Sequence, residues 1–198
     1  MNRELLFGLI GAILFLITFL IALKAIFAGD FKPHRVTYGI FVLITTVTFF
    51  NQIINGGGYS SYFLGVSLFS VSIIFGLSFR FGMGGSSNLD KATLVSALIL
   101  TVYWLISQDS RYSTIVAIVI DLVALVPTIH KAFNFPKTEI YLNWLISGIG
   151  GLLSIFAISE SDWILFIFPI YLIFGNLLVV FAKYFGTRNQ RKISPNTT

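Results

Sequence analysis

Apolar residues run along this chain in blocks too long and too unbroken for strands. Seven such blocks are read at about residues 5–28, 36–55, 61–80, 91–107, 113–130, 138–158 and 163–182. Short polar breaks separate them: GDFKPHR, NGGGYS, GMGGSSNLD, QDSRY, NFPK and SESD. A helix crosses the hydrocarbon core of a bilayer in about 20 mostly apolar residues. Barrel strands alternate polar and apolar positions, and stretches such as IVAIVIDLVALV do not. The pattern therefore predicts seven membrane-spanning helices with little chain left over. The first block is read as a span rather than a cleaved leader, because it is long and lacks a basic n-region or a small-residue cleavage site.

Composition agrees with this reading. The 198 residues are 56% hydrophobic and only 11% charged, with a mean hydropathy of +0.89. Soluble domains carry about 25% charged residues, so a soluble globular or disordered chain is excluded. Cys is absent, which removes disulfides, thiol nucleophiles and thiolate metal sites. Two histidines, His34 and His130, do not make a metal centre, and no metal or other cofactor is expected.

The few charges are informative by position. Of 13 Lys and Arg, only Arg3 and Arg111 fall with the N-terminus and the even-numbered loops. The other 11 fall on the opposite side, from Lys24, Lys32 and Arg35 through to Lys183, Arg188, Arg191 and Lys192. Cytoplasmic loops are enriched in Lys and Arg, so the N-terminus is expected outside and the C-terminus inside. The basic tail suits anionic headgroups. The expected location is a bacterial or archaeal plasma membrane, with the lipid bilayer as partner and no nucleic acid.

A faint internal repeat is present. Lys24-Ala25-Ile26-Phe27 resembles Lys131-Ala132-Phe133-Asn134, and Phe79-Arg80-Phe81-Gly82 resembles Lys183-Tyr184-Phe185-Gly186. The offsets are 107 residues (Lys24 to Lys131) and 104 residues (Gly82 to Gly186). They imply an all-α membrane protein with seven transmembrane helices as 3+1+3 parallel triple-helix repeats. The corresponding division is 1–82 for the first triplet, 83–109 for a linker helix, 110–186 for the second triplet and 187–198 for the tail.

Within the second triplet stand Pro127-Thr128-Ile129-His130-Lys131, then Pro136-Lys137-Thr138-Glu139, then Trp144. This resembles the signature of the PQ-loop and SWEET-like seven-helix superfamily, which includes sugar transporters, lysosomal amino-acid exporters and the KDEL receptors. Small bacterial membrane proteins show an Asp, Pro-Thr, Lys, Pro and Glu in the same order. Thr128 stands where the family has Gln, and Leu20 where the first repeat should have Pro. Ser72 takes the position equivalent to Asn176. The resemblance implies alternating-access transport of a small polar solute (a sugar, amino acid or vitamin-like molecule). A receptor or scaffold on the same fold is the alternative.

Asp121 is the acid farthest from a membrane edge, and such acids face bundle interiors and mark pathways or fix helix packing. It is expected to bind a proton or a solute. Asn176, Asn143, Ser72 and Trp144 are the companion solute-binding candidates. Pro127 and Pro169 interrupt spans five and seven, and each is read as a hinge or a static kink. Polar stripes at helical spacing (Thr45, Thr48, Gln52, Asn55; Asn143, Ser147, Gly151, Ser154; Thr114, Asp121, Thr128) line a cavity or pack helices closely. His130 and Lys131 read as basic groups at a cytoplasmic helix end, and Trp104, Trp144 and Trp163 as an interfacial belt.

Catalysis is not expected. HExxH, GxSxG and paired intramembrane carboxylates are missing. The glycine runs do not open a phosphate loop, and no lysine sits mid-way in the last span to hold retinal.

Overall fold

The computed structural model describes residues 2–107 and 110–193. These form seven α-helices: α1 (Arg3–Ala28), α2 (Arg35–Ile54), α3 (Ser61–Phe81), α4 (Asn88–Ser107), α5 (Ser110–Asn134), α6 (Tyr141–Ile155) and α7 (Trp163–Ile193). Short 3-10 turns at Gly58–Ser60 and Pro136–Thr138 lead into α3 and α6. No β-strand occurs among the described residues.

Local chemistry sets the helix ends. The Asn2 side chain accepts from Glu4 N–H to cap α1, and Gly29 stops it in the left-handed region at φ 84°. Ser87 and Asp90 satisfy each other's backbone N–H reciprocally at the start of α4, which uses two of the donors that a helix start leaves free.

Five helices among the described residues are long and apolar enough to cross a membrane: Arg3–Ala28, Arg35–Ile54, Gly58–Phe81, Thr114–Asn134 and Trp163–Arg191. The run predicted at 138–158 is less regular. Its helix, α6, has 15 residues, a rise of about 22 Å against a core of about 30 Å. Glu139 before it is extended, and Phe156, Ala157 and Ile158 leave the helix through tight turns after it.

The molecule is turned inside out relative to a water-soluble fold. Leu20, Phe69, Ile99 and Phe174 are each more than half exposed, while Thr18, Thr37, Ser70, Ser78, Asp121 and Thr128 are buried. Only an apolar surrounding makes that exterior favourable.

In the packing, α3 lies against both α1 and α2, and α7 against both α5 and α6. The two groups meet through α1 on α6 and α2 on α5, and α4 packs on α5. Small residues permit the α1–α6 approach: a Cβ on Gly11 would lie 3.4 Å from the Gly150 carbonyl oxygen, within ordinary contact range. Gly8 is tighter, since a Cβ there would come within 2.5 Å of the Tyr59 carbonyl oxygen.

The two ends of the bundle differ. At one, Glu4 accepts from Ser159 (3.1 Å) and Gln52 donates to Ser60 (2.6 Å). At the other, the segments after α1, α3 and α5 are laced together. Arg35 donates through its guanidinium to the carbonyls of Ser78, Gly82 and Gly84. Lys32 N–H donates to the Thr138 carbonyl. This second end carries most of the lysines and arginines.

Candidate functional site

A cavity of about 90 Å³ lies between the two groups of helices and is lined from α1, α2, α3, α5, α6 and α7. Asp121 of α5 reaches it and is 6% exposed. Tyr171 of α7 donates its hydroxyl to Asp121 Oδ2 at 2.5 Å. The second carboxylate oxygen has no protein donor among the described residues. A carboxylate at this depth is costly, and either a proton or a cation relieves the cost.

Three of the companion candidates line the same cavity. Asn143 does so with its Oδ1 buried and without a partner. Asn176 lines it from α7, its amide nitrogen donating to the Leu172 carbonyl of its own helix at 2.7 Å. Trp144 is buried at the wall, and its indole N–H donates to Glu139 Oε2 at 2.9 Å. Trp163 is exposed at the start of α7, and the Trp104 side chain lies outside the described residues.

Ser72 does not join them. It is exposed on the outer face of α3, and its hydroxyl donates to the Leu68 carbonyl one turn back. Ser67 and Ser70, on the opposite face, line the cavity instead. Of the polar stripes, Thr45, Asp121, Asn143 and Ser147 reach the cavity. Thr48 and Ser154 bond back to their own helices, and Gln52 serves the far end.

Pro127 and Pro169 are both buried inside their helices. Each leaves the carbonyl four residues back, Val123 or Leu165, without its helical donor. Pro127 stands six residues past Asp121 and four before Lys131, between the cavity and the basic end.

At that end, groups that read as solvated edge charges are buried. Lys131 forms an ion pair with Glu139, at side-chain exposures of 3% and 1%. Its ammonium also donates to the Lys32 carbonyl at 2.5 Å and lies over the Phe31 ring. Lys183 of α7 donates to the Glu139 carbonyl. Glu139 thus joins α5, α6 and α7, and through Trp144 it touches the cavity wall. His130, by contrast, is exposed.

A second buried pair joins α2 to α4. His34 Nε2 lies 3.1 Å from Asp90 Oδ1, and His34 Nδ1 lies 3.2 Å from Thr37 Oγ1. Thr37 donates to the Ala124 carbonyl of α5 and accepts from Thr128. Burial pushes the His34 imidazole below its ordinary value, against the opposing pull of Asp90. Burial also pushes the Asp90 carboxyl up, but the N–H groups of Gly85 and Ser87, the Ser87 hydroxyl and His34 outweigh it and hold that carboxyl low. The contact joins the α1–α2 turn to the start of α4.

Sequence reading passed over Tyr171 as Asp121's partner, the Lys131–Glu139 pair and the His34–Asp90 pair. A signal existed for one: Lys131 and Glu139 both sit inside the Pro127–Trp144 motif. Nothing local marks His34 and Asp90, which are 56 positions apart.

No protein-family model matches this chain, and no curated protein or solved structure matches it.

Proposed function

We propose that this protein is a membrane transporter that carries a small polar solute by alternating access. In this reading the chain crosses the membrane seven times as two parallel helix triplets joined by α4, with the N-terminus outside and the C-terminus in the cytoplasm. Support comes from the packing: the third helix of each triplet lies against the other two, and the first helix of each triplet meets the second helix of the other. The observation that carries the proposal is the cavity at the triplet interface, with Asp121 on its wall and hydrogen-bonded to Tyr171 within the second triplet.

Closure at the basic end gives the cavity a sealed side. Lys131, Glu139 and Lys183 tie α5, α6 and α7 together beneath Trp144. Opening there requires Lys131 to leave Glu139, and bending at Pro127 moves Lys131 relative to Asp121. A solute or proton at Asp121 changes the charge at the cavity wall, which supplies the differential interaction that a conformational shift needs.

The test is flux. Purified protein in liposomes, offered labelled sugars, amino acids and amines at two pH values, is expected to exchange at least one class well above protein-free liposomes. Asp121→Asn is expected to reduce that exchange more than tenfold. Wild-type flux no higher than protein-free liposomes would overturn the transport reading, and undiminished flux in Asp121→Asn would remove Asp121 from the mechanism.

A further inference from the structure

The charge on the cavity wall is unbalanced. Among the described residues Asp121 is the one carboxylate on the wall, and no Lys, Arg or His lines it. Among the described residues the one donor to Asp121 is Tyr171, on Oδ2, and Asn143 Oδ1 is buried with none. Several wall donors are committed within the protein, while the hydroxyls of Tyr38, Thr45, Ser67 and Ser147 also line the cavity. Trp144 N–H goes to Glu139, the Asn176 amide to Leu172, the Thr18 hydroxyl to Phe15 and the Ser70 hydroxyl to Val66. The remaining wall is strongly aromatic, with Phe15, Phe19, Tyr38, Phe41, Trp144 and Phe168.

An occupant that suits this wall brings donors and positive charge. An ammonium group offers only donors, pairs with a carboxylate and is attracted to ring faces. A free carboxylate on the occupant would face Asp121 with no basic side chain to receive it, which disfavours zwitterionic amino acids. A neutral polyol would leave the charge of Asp121 without a counter-charge. Size narrows the choice further: dry cavities of about 150 Å³ admit six-carbon benzene, so about 90 Å³ suits a molecule of four or five heavy atoms.

We infer that the cavity between the helix triplets binds a small organic amine in its cationic form, held by Asp121 and Asn143 and enclosed by aromatic rings. That the amine is also cargo rests on the transport reading, whereas its binding does not.

Binding is tested with propylamine, 1-propanol and propionate on the purified full-length protein in detergent at constant ionic strength. A ligand of the native state raises the unfolding midpoint in a concentration-dependent way. Propylamine is expected to raise it by several degrees at millimolar concentration, 1-propanol and propionate are not, and Asp121→Asn is expected to lose the effect. An equal shift from 1-propanol, or a propylamine shift retained in Asp121→Asn, would overturn the inference. Should Asp121→Asn fail to fold, the wild-type comparison of the three probes decides alone. Propylamine binding without propylamine flux in liposomes would end the reading of the amine as cargo and leave the ligand class standing. Flux of neutral solutes without amine-specific stabilisation would end the ligand class and leave the transport reading standing.

Discussion

One residue, Glu139, joins three helices at the basic end. Its carboxylate receives Lys131 and the Trp144 indole, and its carbonyl receives Lys183. Removing one partner of a buried ion pair costs more than the pair contributes, because the other charge is stranded. Glu139→Gln is expected to destabilise the protein by about 3 kcal/mol, measured by thermal or denaturant unfolding in detergent. Adding Lys131→Met to that variant is expected to recover most of the loss. The His34–Asp90 contact makes a separate prediction about pH. His34 binds its proton less readily in the folded protein than its ordinary value of 6.5 implies, so below that pH the unfolded chain takes up more protons. Stability is then fully present above about 6.5 and falls as pH drops toward the lowered folded value. The held-down Asp90 acts in the same direction at still lower pH. Unfolding midpoints between about pH 5 and 8 are expected to fall with acidification in wild type and to vary less in His34→Gln. At this scale the sequence was partly legible. Asp121 stands out because a lone acid in an apolar run has few innocent explanations. Lys131 and Glu139 do not, because distance along a chain says nothing about which way an edge group turns. Ser72 was reached by applying the 104-residue offset to Asn176. The cavity-lining Ser70 is two positions away, and two positions on a helix turn a side chain by about 200°.

Among the elements, α5 carries the most consequence. It holds Asp121 at the cavity, Pro127 within its length and Lys131 at the sealed end. Proline inside a helix removes one backbone hydrogen bond and disfavours the straight form. Pro127→Ala is expected to restore a donor to the Val123 carbonyl, leave the unfolding midpoint equal or higher, and slow solute exchange several-fold. Initial flux rates set beside unfolding midpoints check this, and unchanged rates would make Pro127 a static kink. The helical character of the elements was legible from unbroken apolar runs, and their ends less so. Residues 138–158 read as one span by hydropathy alone. Pro136 and the inward turn of Glu139 delay the helix, and turns after Ile155 shorten it. Conversely, α5 continues to Asn134 and α7 to Ile193, past the apolar runs, because polar residues end a hydropathy signal without ending a helix.

For the whole molecule, the inverted distribution of polarity and the packing of α3 and α7 within their groups form one consistent design. Polar side chains converge on the interface between the groups, and apolar ones cover the outside. The general outline was legible because bilayers impose long apolar helices. The register of facing helices was not, since it depends on glycine approaches such as Gly11 against Gly150 that no periodicity announces. The central claim is that the cavity opens in turn to each side of the membrane. The chain has no cysteine, so a single Ser147→Cys variant reports on the cavity without background. In sealed vesicles of known orientation, a membrane-impermeant thiol reagent is expected to label Ser147→Cys from the outer side. Breaking the basic-end seal with Glu139→Gln is expected to raise labelling from the cytoplasmic side. Labelling confined to one side in both backgrounds, or absent from both sides while a denatured sample labels fully, would contradict the account.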